Sequence, residues 1–538
     1  MKTQARRALR LTCILVAALA PAAAAAQNVP TAAEVLARVR GAVGYGRLHG
    51  HSNGVAVEGT ARYRGLDTKF SLLFTPDGRF RTEVAGPLGG VTGFDGAAGW
   101  EVDSTGMPRV LEFQDLELAQ LDAWVYSSRW MAEDSPFAIS LDASKTDDKQ
   151  VALKLNLKQG VLEATIFVDR ATWLPKTVRR RGSGGEEVME LGDYRDVMGF
   201  RFPHRFTRSV GGVTNAYEVR TVAAAPAGSL ARFERVTTRP NDARWDNAVA
   251  PSVEVRRARS GHMLVRPLVN GKEIGWFILD SGASAMVIDP KAADRLGLPA
   301  LGEVIAVGAA GTVKARFRQG ETFQLGPLTV NGTRYMEFDL EFLSRAFGVP
   351  VGGICGRDFF ARAVVEIDIT DESVAVHDPA RYKLEGAGWQ ELYFSGRIPA
   401  VRARFEGGRE GLFRLDTGSG WTVSFHAPAV ESLKLLAGRE TRETHSGGVG
   451  GSAASRAGRL TWFELGGRRF EGVEVEFTGV REGAFSDVYT MGNIGAGLLR
   501  EFRVIFDYGN KRAAFAPLKA TKPEGAPAPR VGAGRTAG

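Results

Sequence analysis

The 538-residue chain is too long for one ordinary domain, and its 44% apolar and 24% charged residues are those of a globular protein rather than a disordered one. Its net charge of +8 invites a nucleic-acid partner, but the first 26 and last 20 residues together carry about seven of those charges and leave about +1 for the rest. What remains has no basic cluster interleaved with aromatics, which argues against nucleic acid as a partner.

In chain order, residues 1–26 read as a signal peptide. Lys2, Arg6, Arg7 and Arg10 precede the apolar run 11–20, and Ala24-Ala25-Ala26 offers a small-residue cleavage site. The expected location is periplasmic or secreted. Cys13 lies inside the apolar run, with Thr12 where a lipid-anchor signal would place a smaller residue, so lipidation is not expected. No later run approaches the ~20 apolar residues of a membrane span. Once the leader is removed, Cys355 is the remaining cysteine, so no intrachain disulfide is expected. Its apolar setting, Gly353-Ile354-Cys355-Gly356, reads as a packed small hydrophobe.

Residues 27–223 read as a β domain. A helix over 31–43 follows the cap candidate Thr31, then short alternating runs extend from about 54 to 222, interrupted by a helix near 115–128. This pattern predicts an antiparallel sheet with a helix against one face. Residues 224–252 lack sustained periodicity, carry three prolines and are expected to be a linker. Alternation resumes through 253–385 and 386–518, and the Gly/Pro/Ala-rich tail 519–538 is expected to be disordered.

The region 253–518 repeats internally. Gly275-Trp276-Phe277-Ile278-Leu279-Asp280-Ser281-Gly282 aligns with Gly411-Leu412-Phe413-Arg414-Leu415-Asp416-Thr417-Gly418. Ile354-Cys355-Gly356 aligns with Asn493-Ile494-Gly495, and Asp368 with Asp507, at offsets of 136, 139 and 139. One Asp-[Ser/Thr]-Gly tripeptide in a glycine-rich chain means little. Two in matching contexts point to a paired architecture.

The chemistry suits those residue types. Hydrolysing a peptide bond without a metal or a covalent nucleophile requires a base for water and an acid for the leaving group. Two carboxylates in contact supply both by sharing a proton, as aspartic proteases, the familiar case of such a pair, do. A buried strand pins each carboxylate, the hydroxyl of Ser281 or Thr417 can bond to the partner half, and Gly282 or Gly418 permits a tight turn.

On these motifs the region resembles the retropepsin-like aspartic proteases. The implied fold is mainly β, with tandem acid-protease half-units preceded by a half-open barrel with a helix. The implied catalytic pair is Asp280 and Asp416, with no cofactor and no metal. The resemblance also implies a glycine-rich flap over the site, with candidates at Gly308 and Gly311 and at Gly448 and Gly450. The second copy departs at Gly420 (Ser284 in the first), at Asn493 and at Arg414. Arg414 is expected at a strand edge facing solvent, the alternative being a charge that depresses the dyad pKa. The two halves could pair within one chain or across a homodimer.

In the N-terminal region, FDGAAGW (94–100), DRATWLP (169–175) and DYRDVMGFRFP (193–203) resemble turns of LolA/LolB-type lipoprotein carriers. That resemblance implies an apolar or lipid ligand there, beside a plain accessory role. His49 and His51 form a lone H-x-H without ligand-like partners and read as loop histidines. The expected function is an exported aspartic endopeptidase acting on peptide or protein substrates. The alternative is a non-catalytic periplasmic peptide- or lipid-binding protein on the same scaffold.

Overall fold

The computed structural model describes residues 30–518 apart from 183, 309–310 and 449–450. The expected signal peptide, the tail 519–538 and the flap candidate Gly450 lie outside the described residues.

The fold is mainly β. Residues 32–224 form a 13-stranded sheet in which every neighbouring pair is antiparallel and consecutive in sequence, except that Val55–Tyr63 closes against Val213–Ala224. Two helices hold it. α1 (Ala32–Val43) starts with a capping box, the Glu34 N–H donating to Thr31 Oγ1 and the Thr31 N–H to Glu34 Oε2. α2 (Phe113–Tyr126) buries Leu121, Ala123 and Trp124 among Phe94 and Phe137. Its polar face is tied down by ion pairs, Asp115 to Arg109 (2.8 Å) and Asp122 to Arg180 (2.9 Å) and Arg208 (2.7 Å).

The segment expected as a linker is packed in place. Phe233 is buried and its carbonyl accepts from Trp100 Nε1 (2.9 Å). Ala243–Trp245 pairs with Leu328–Asn331, and Asp242 binds Arg362. Single anchors hold this stretch, which is why it has no hydrophobic period.

Two sheets follow with one shared plan. In the first, β1 (Trp276–Leu279), β2 (Val287–Ile288), β3 (Ala300–Val307), β4 (Thr312–Gln319), β5 (Arg334–Glu337) and β6 (Val351–Cys355) lie in the spatial order β1-β6-β2-β5-β4-β3. In the second, β7 (Arg409–Asp416), β8 (Val423–Phe425), β9 (Arg442–Gly448), β10 (Gly451–Arg459), β11 (Glu474–Thr478) and β12 (Gly492–Gly495) lie in the order β7-β12-β8-β11-β10-β9. Pairing senses match as well: β1–β6 and β7–β12 are parallel, β2–β6 and β8–β12 antiparallel, β2–β5 and β8–β11 parallel. Between the sheets, Val364–Asp368 pairs antiparallel with Arg503–Asp507, each flanked by its own hairpin partner. One hydrophobic core runs through both units, with Phe277, Phe360, Phe413 and Phe506 in it, and Cys355 is buried there as a small hydrophobe.

Candidate active site

β1 and β7 run into their aspartates from buried strands. All four side chains of β1 are buried, and the Asp280 N–H donates to the Cys355 carbonyl (3.0 Å). The next residues lock the two units together. Ser281 Oγ donates to the Leu415 carbonyl (2.9 Å) and Thr417 Oγ1 to the Leu279 carbonyl (2.7 Å). In return the Ser281 N–H donates to Thr417 Oγ1 (2.9 Å) and the Thr417 N–H to Ser281 Oγ (3.0 Å). Both hydroxyls are thus fully used in a buried site, where losing a partner costs about 1–3 kcal/mol. Tyr508 Oη donates to the Ser281 carbonyl (3.0 Å) and braces the loop from below.

The glycines of the motif are required by the opposite unit. A Cβ on Gly282 would lie 2.5 Å from Asp416 Oδ1, and one on Gly418 would lie 2.4 Å from Asp280 Oδ2. Each Gly N–H instead donates back to its own aspartate, Gly282 to Asp280 Oδ1 (2.8 Å) and Gly418 to Asp416 Oδ1 (3.1 Å). Gly356 and Gly495 serve the backbone behind the loops, where a Cβ would meet the Ala285 carbonyl at 2.0 Å and the Trp421 carbonyl at 2.3 Å.

The two carboxyls face one another across the paired loops, each packed against the other unit's motif glycine, and both line one cavity. Burial raises Asp280 above the usual carboxylate range, and the neighbouring Asp416 charge raises it further. Burial raises Asp416 as well, but the Asn493 amide, the His262 ring and the Gly418 N–H work against it. Both carboxyls are raised together, and the Asn493 hydrogen bond biases ionisation toward Asp416.

That bias comes from what lies beneath each carboxyl. Under Asp280 the register brings together Ile278, Val287, Met336 and Ile354. At the matching positions under Asp416 stand Arg414, Ser424, Glu476 and Asn493. Asn493 Nδ2 donates to Asp416 Oδ2 (2.7 Å) and its Oδ1 accepts from His426 Nε2 (2.9 Å). Burial, with Arg414 nearby, pushes His426 down to about 4, so the ring is neutral. Its Nδ1 faces Thr490 Oγ1 (3.2 Å), which donates to Asp487 Oδ2 (2.6 Å).

Arg414 closes this network. The expectation that it faces solvent is wrong: the side chain is buried and its Nη2 sits 2.7 Å from Asp487 Oδ2. Burial alone would raise Asp487, but Arg414 outweighs it and holds the carboxyl below its usual range. Strand alternation in a half-buried sheet cannot distinguish an outward arginine from one facing a buried carboxylate 73 residues away. Gly420 also has a local cause, since a Cβ there would lie 2.9 Å from the Ser260 carbonyl.

Sequence reading missed His262, His426, Asp487 and Thr490. The one available signal was Asn493, a polar residue in an otherwise apolar motif. His262 Nε2 bonds to the Gly418 carbonyl (2.8 Å) and its Nδ1 to Ser260 Oγ (2.7 Å), which supports the second catalytic loop. The candidate flap residues Gly308 and Gly311 form the turn of the β3–β4 hairpin, with the Gly308 N–H donating to the Gly311 carbonyl (2.8 Å). Gly448 pairs with Gly451 at the tip of the β9–β10 hairpin. Gly308 and Gly448 both line the cavity over the aspartates. His49 packs at a tilt against the Tyr45 ring in the N-terminal domain, and among the described residues no cluster of His, Cys, Asp and Glu could hold a metal.

A family model described as Aspartyl protease matches residues 265–359, which span the first catalytic loop, β3–β4 and β6. No curated protein sequence matches the chain. The crystal structure of a LolA superfamily protein from Nitrosomonas europaea aligns with 36% of this chain and 97% of its own, at 11% identity and a TM-score of 0.26. A TM-score that low does not establish a shared fold. The family match covers the stretch that carries the first Asp-Ser-Gly loop and its Ile354-Cys355-Gly356 partner. No helix among the described residues is long and apolar enough to cross a membrane.

Proposed function

We propose that the protein is an aspartic endopeptidase with Asp280 and Asp416 as its shared-proton pair, built from tandem retropepsin-like half-units in one chain. The observation that carries this reading is the reciprocal Ser281/Thr417 lock, with each motif glycine making room for the other unit's carboxylate. The protein acts outside the cytoplasm on peptide or protein substrates, a reading supported by the basic and apolar character of residues 1–26.

In the resting pair Asp280 carries the proton and Asp416 is ionised. A water between them gives a proton to Asp416 and attacks the scissile carbonyl carbon, while Asp280 gives its proton to the carbonyl oxygen. The result is a neutral tetrahedral diol. Collapse breaks the C–N bond: Asp416 passes its proton to the leaving nitrogen, and a diol hydroxyl returns one to Asp280 as the acid forms. Both carboxyls end as they began.

The test is cleavage of a diverse peptide library by the purified protein at acidic and neutral pH, with Asp280→Asn and Asp416→Asn as controls. Cleavage lost in both variants supports the dyad. No cleavage by the wild type, together with peptide binding, would return the non-catalytic binding protein.

A further inference from the structure

The cavity above Asp280 and Asp416 does not end at the protease-type units. It has a volume of about 950 Å³, and its lining continues from the two aspartates onto the concave side of the N-terminal sheet, at Phe70, Leu72, Phe80, Val84, Phe206 and Tyr217. The N-terminal domain is fixed on both units. Asp103 binds Arg357 of the first at 2.9 Å with both side chains buried. Glu101 binds Arg397 of the second, and Glu117 accepts from Tyr489 Oη (2.7 Å).

The β3–β4 hairpin marks the junction. The Glu303 N–H donates to the Arg64 carbonyl (2.8 Å), and a Cβ on Gly302 would lie 2.3 Å from that same oxygen. Ile305 packs so closely on Gly211 that a Cβ there would approach it to 2.9 Å. At its tip the Gly308 carbonyl accepts from the Ala484 N–H of the second unit (2.9 Å). Val304–Gly308 and Phe317 therefore line a cavity whose other wall belongs to the N-terminal domain.

We infer that the concave face of the N-terminal sheet is a substrate subsite, taking apolar side chains of the peptide on one side of the scissile bond. This rests on the endopeptidase reading and names the substrate class for it. The continuity of the cavity supplies the location, and the charges of the wall supply the class. Glu101, Asp103, Asp115, Asp122 and Glu187 reach the cavity from this domain, and each is already paired with an arginine. These carboxylates thus ask for no cation from the occupant, and the Arg64 guanidinium lies over the rings of Tyr63 and Phe317. What the wall has left to bury against a ligand is the partly exposed surface of Tyr63, Val84, Val91 and Val210, which favours apolar groups.

The experiment uses two peptides with one cleavable core, one flanked by Phe and Leu residues and one by Ser and Gly. Each flank is tested on either side of the core. Val84 is half-buried in the wall, so Val84→Trp narrows the subsite without entering the catalytic loops. The expected result is a KM for the apolar-flanked peptide raised about tenfold, against a much smaller rise for the polar-flanked peptide. Equal effects on both peptides, or none on either, overturn the subsite. Should Val84→Trp fail to fold by circular dichroism, Val84→Ser replaces it, with the same selective rise in KM expected. Binding to the Asp280→Asn variant separates the two readings. If the wild type cleaves nothing, the endopeptidase reading fails, while about tenfold tighter binding of the apolar-flanked peptide still upholds the subsite and equal binding removes it.

Discussion

The two units of the protease-type region share strand order, pairing sense and catalytic loop, yet they set their aspartates on opposite kinds of floor. Asp280 rests over Ile278, Val287, Met336 and Ile354, whose side chains have no hydrogen bond to offer an ionised carboxylate. Asp416 rests over Asn493, whose amide favours the ionised form and is itself oriented by His426, with Arg414 and Asp487 beneath. A symmetric pair would share its proton evenly. Here the two carboxyls meet unlike surroundings, and the proposed mechanism uses that difference by taking Asp280 as the acid and Asp416 as the base.

The comparison can be broken most directly at the carboxyls. Asp280→Asn and Asp416→Asn should each lower kcat/KM by about 10³-fold or more, because each removes one of the two proton-transfer groups. A variant that kept near wild-type turnover would end the paired mechanism.

Arg414→Ile copies the first unit's Ile278 into the second. It leaves Asp487 buried beside Ser395 and Thr490 without its cation, and should cost about 3–5 kcal/mol in chemical denaturation. Adding Asp487→Leu should recover part of that loss, and a double-mutant cycle measures the coupling.

Asn493→Leu puts an apolar side chain where the first unit has Ile354. Asn493 holds Asp416 down, so its removal raises that carboxyl. The proposed mechanism needs Asp416 ionised, so the acid limb of the pH–kcat/KM profile should move to higher pH. A loss of activity equal at every pH would show that Asn493 only packs.

The smallest effect concerns stability. Asp280 has a folded pKa raised above its ordinary 3.8. The wild type therefore loses stability as pH rises from the unfolded value toward the folded one. Asn has no proton to lose, so Asp280→Asn should melt higher than wild type at neutral pH. The difference should vanish below about pH 3, where the carboxyl is protonated in both states.

Much of this molecule is legible in its sequence, for local reasons. The Thr31 cap, the helix of 113–126 and the alternating strands follow from periods and capping chemistry that act over a few residues. The two Asp-[Ser/Thr]-Gly loops and their later glycine partners are recognisable because backbone close approach admits one residue type. The sequence also showed Asn493 and Gly420 as departures, without the reason for either.

Tertiary structure decided what depends on distant partners. Arg414 is a buried cation because Asp487 faces it, the segment 224–252 is held by Trp100, Arg362 and the strand Leu328–Asn331, and His262 reaches the loop of the other unit. The joining of the N-terminal sheet to the dyad cavity is of the same kind. Alternation tells which side chains leave a strand on one face. Whether that face meets water, a core, a carboxylate or a substrate is set by packing across hundreds of residues, where buried charges are tolerated only if a partner arrives.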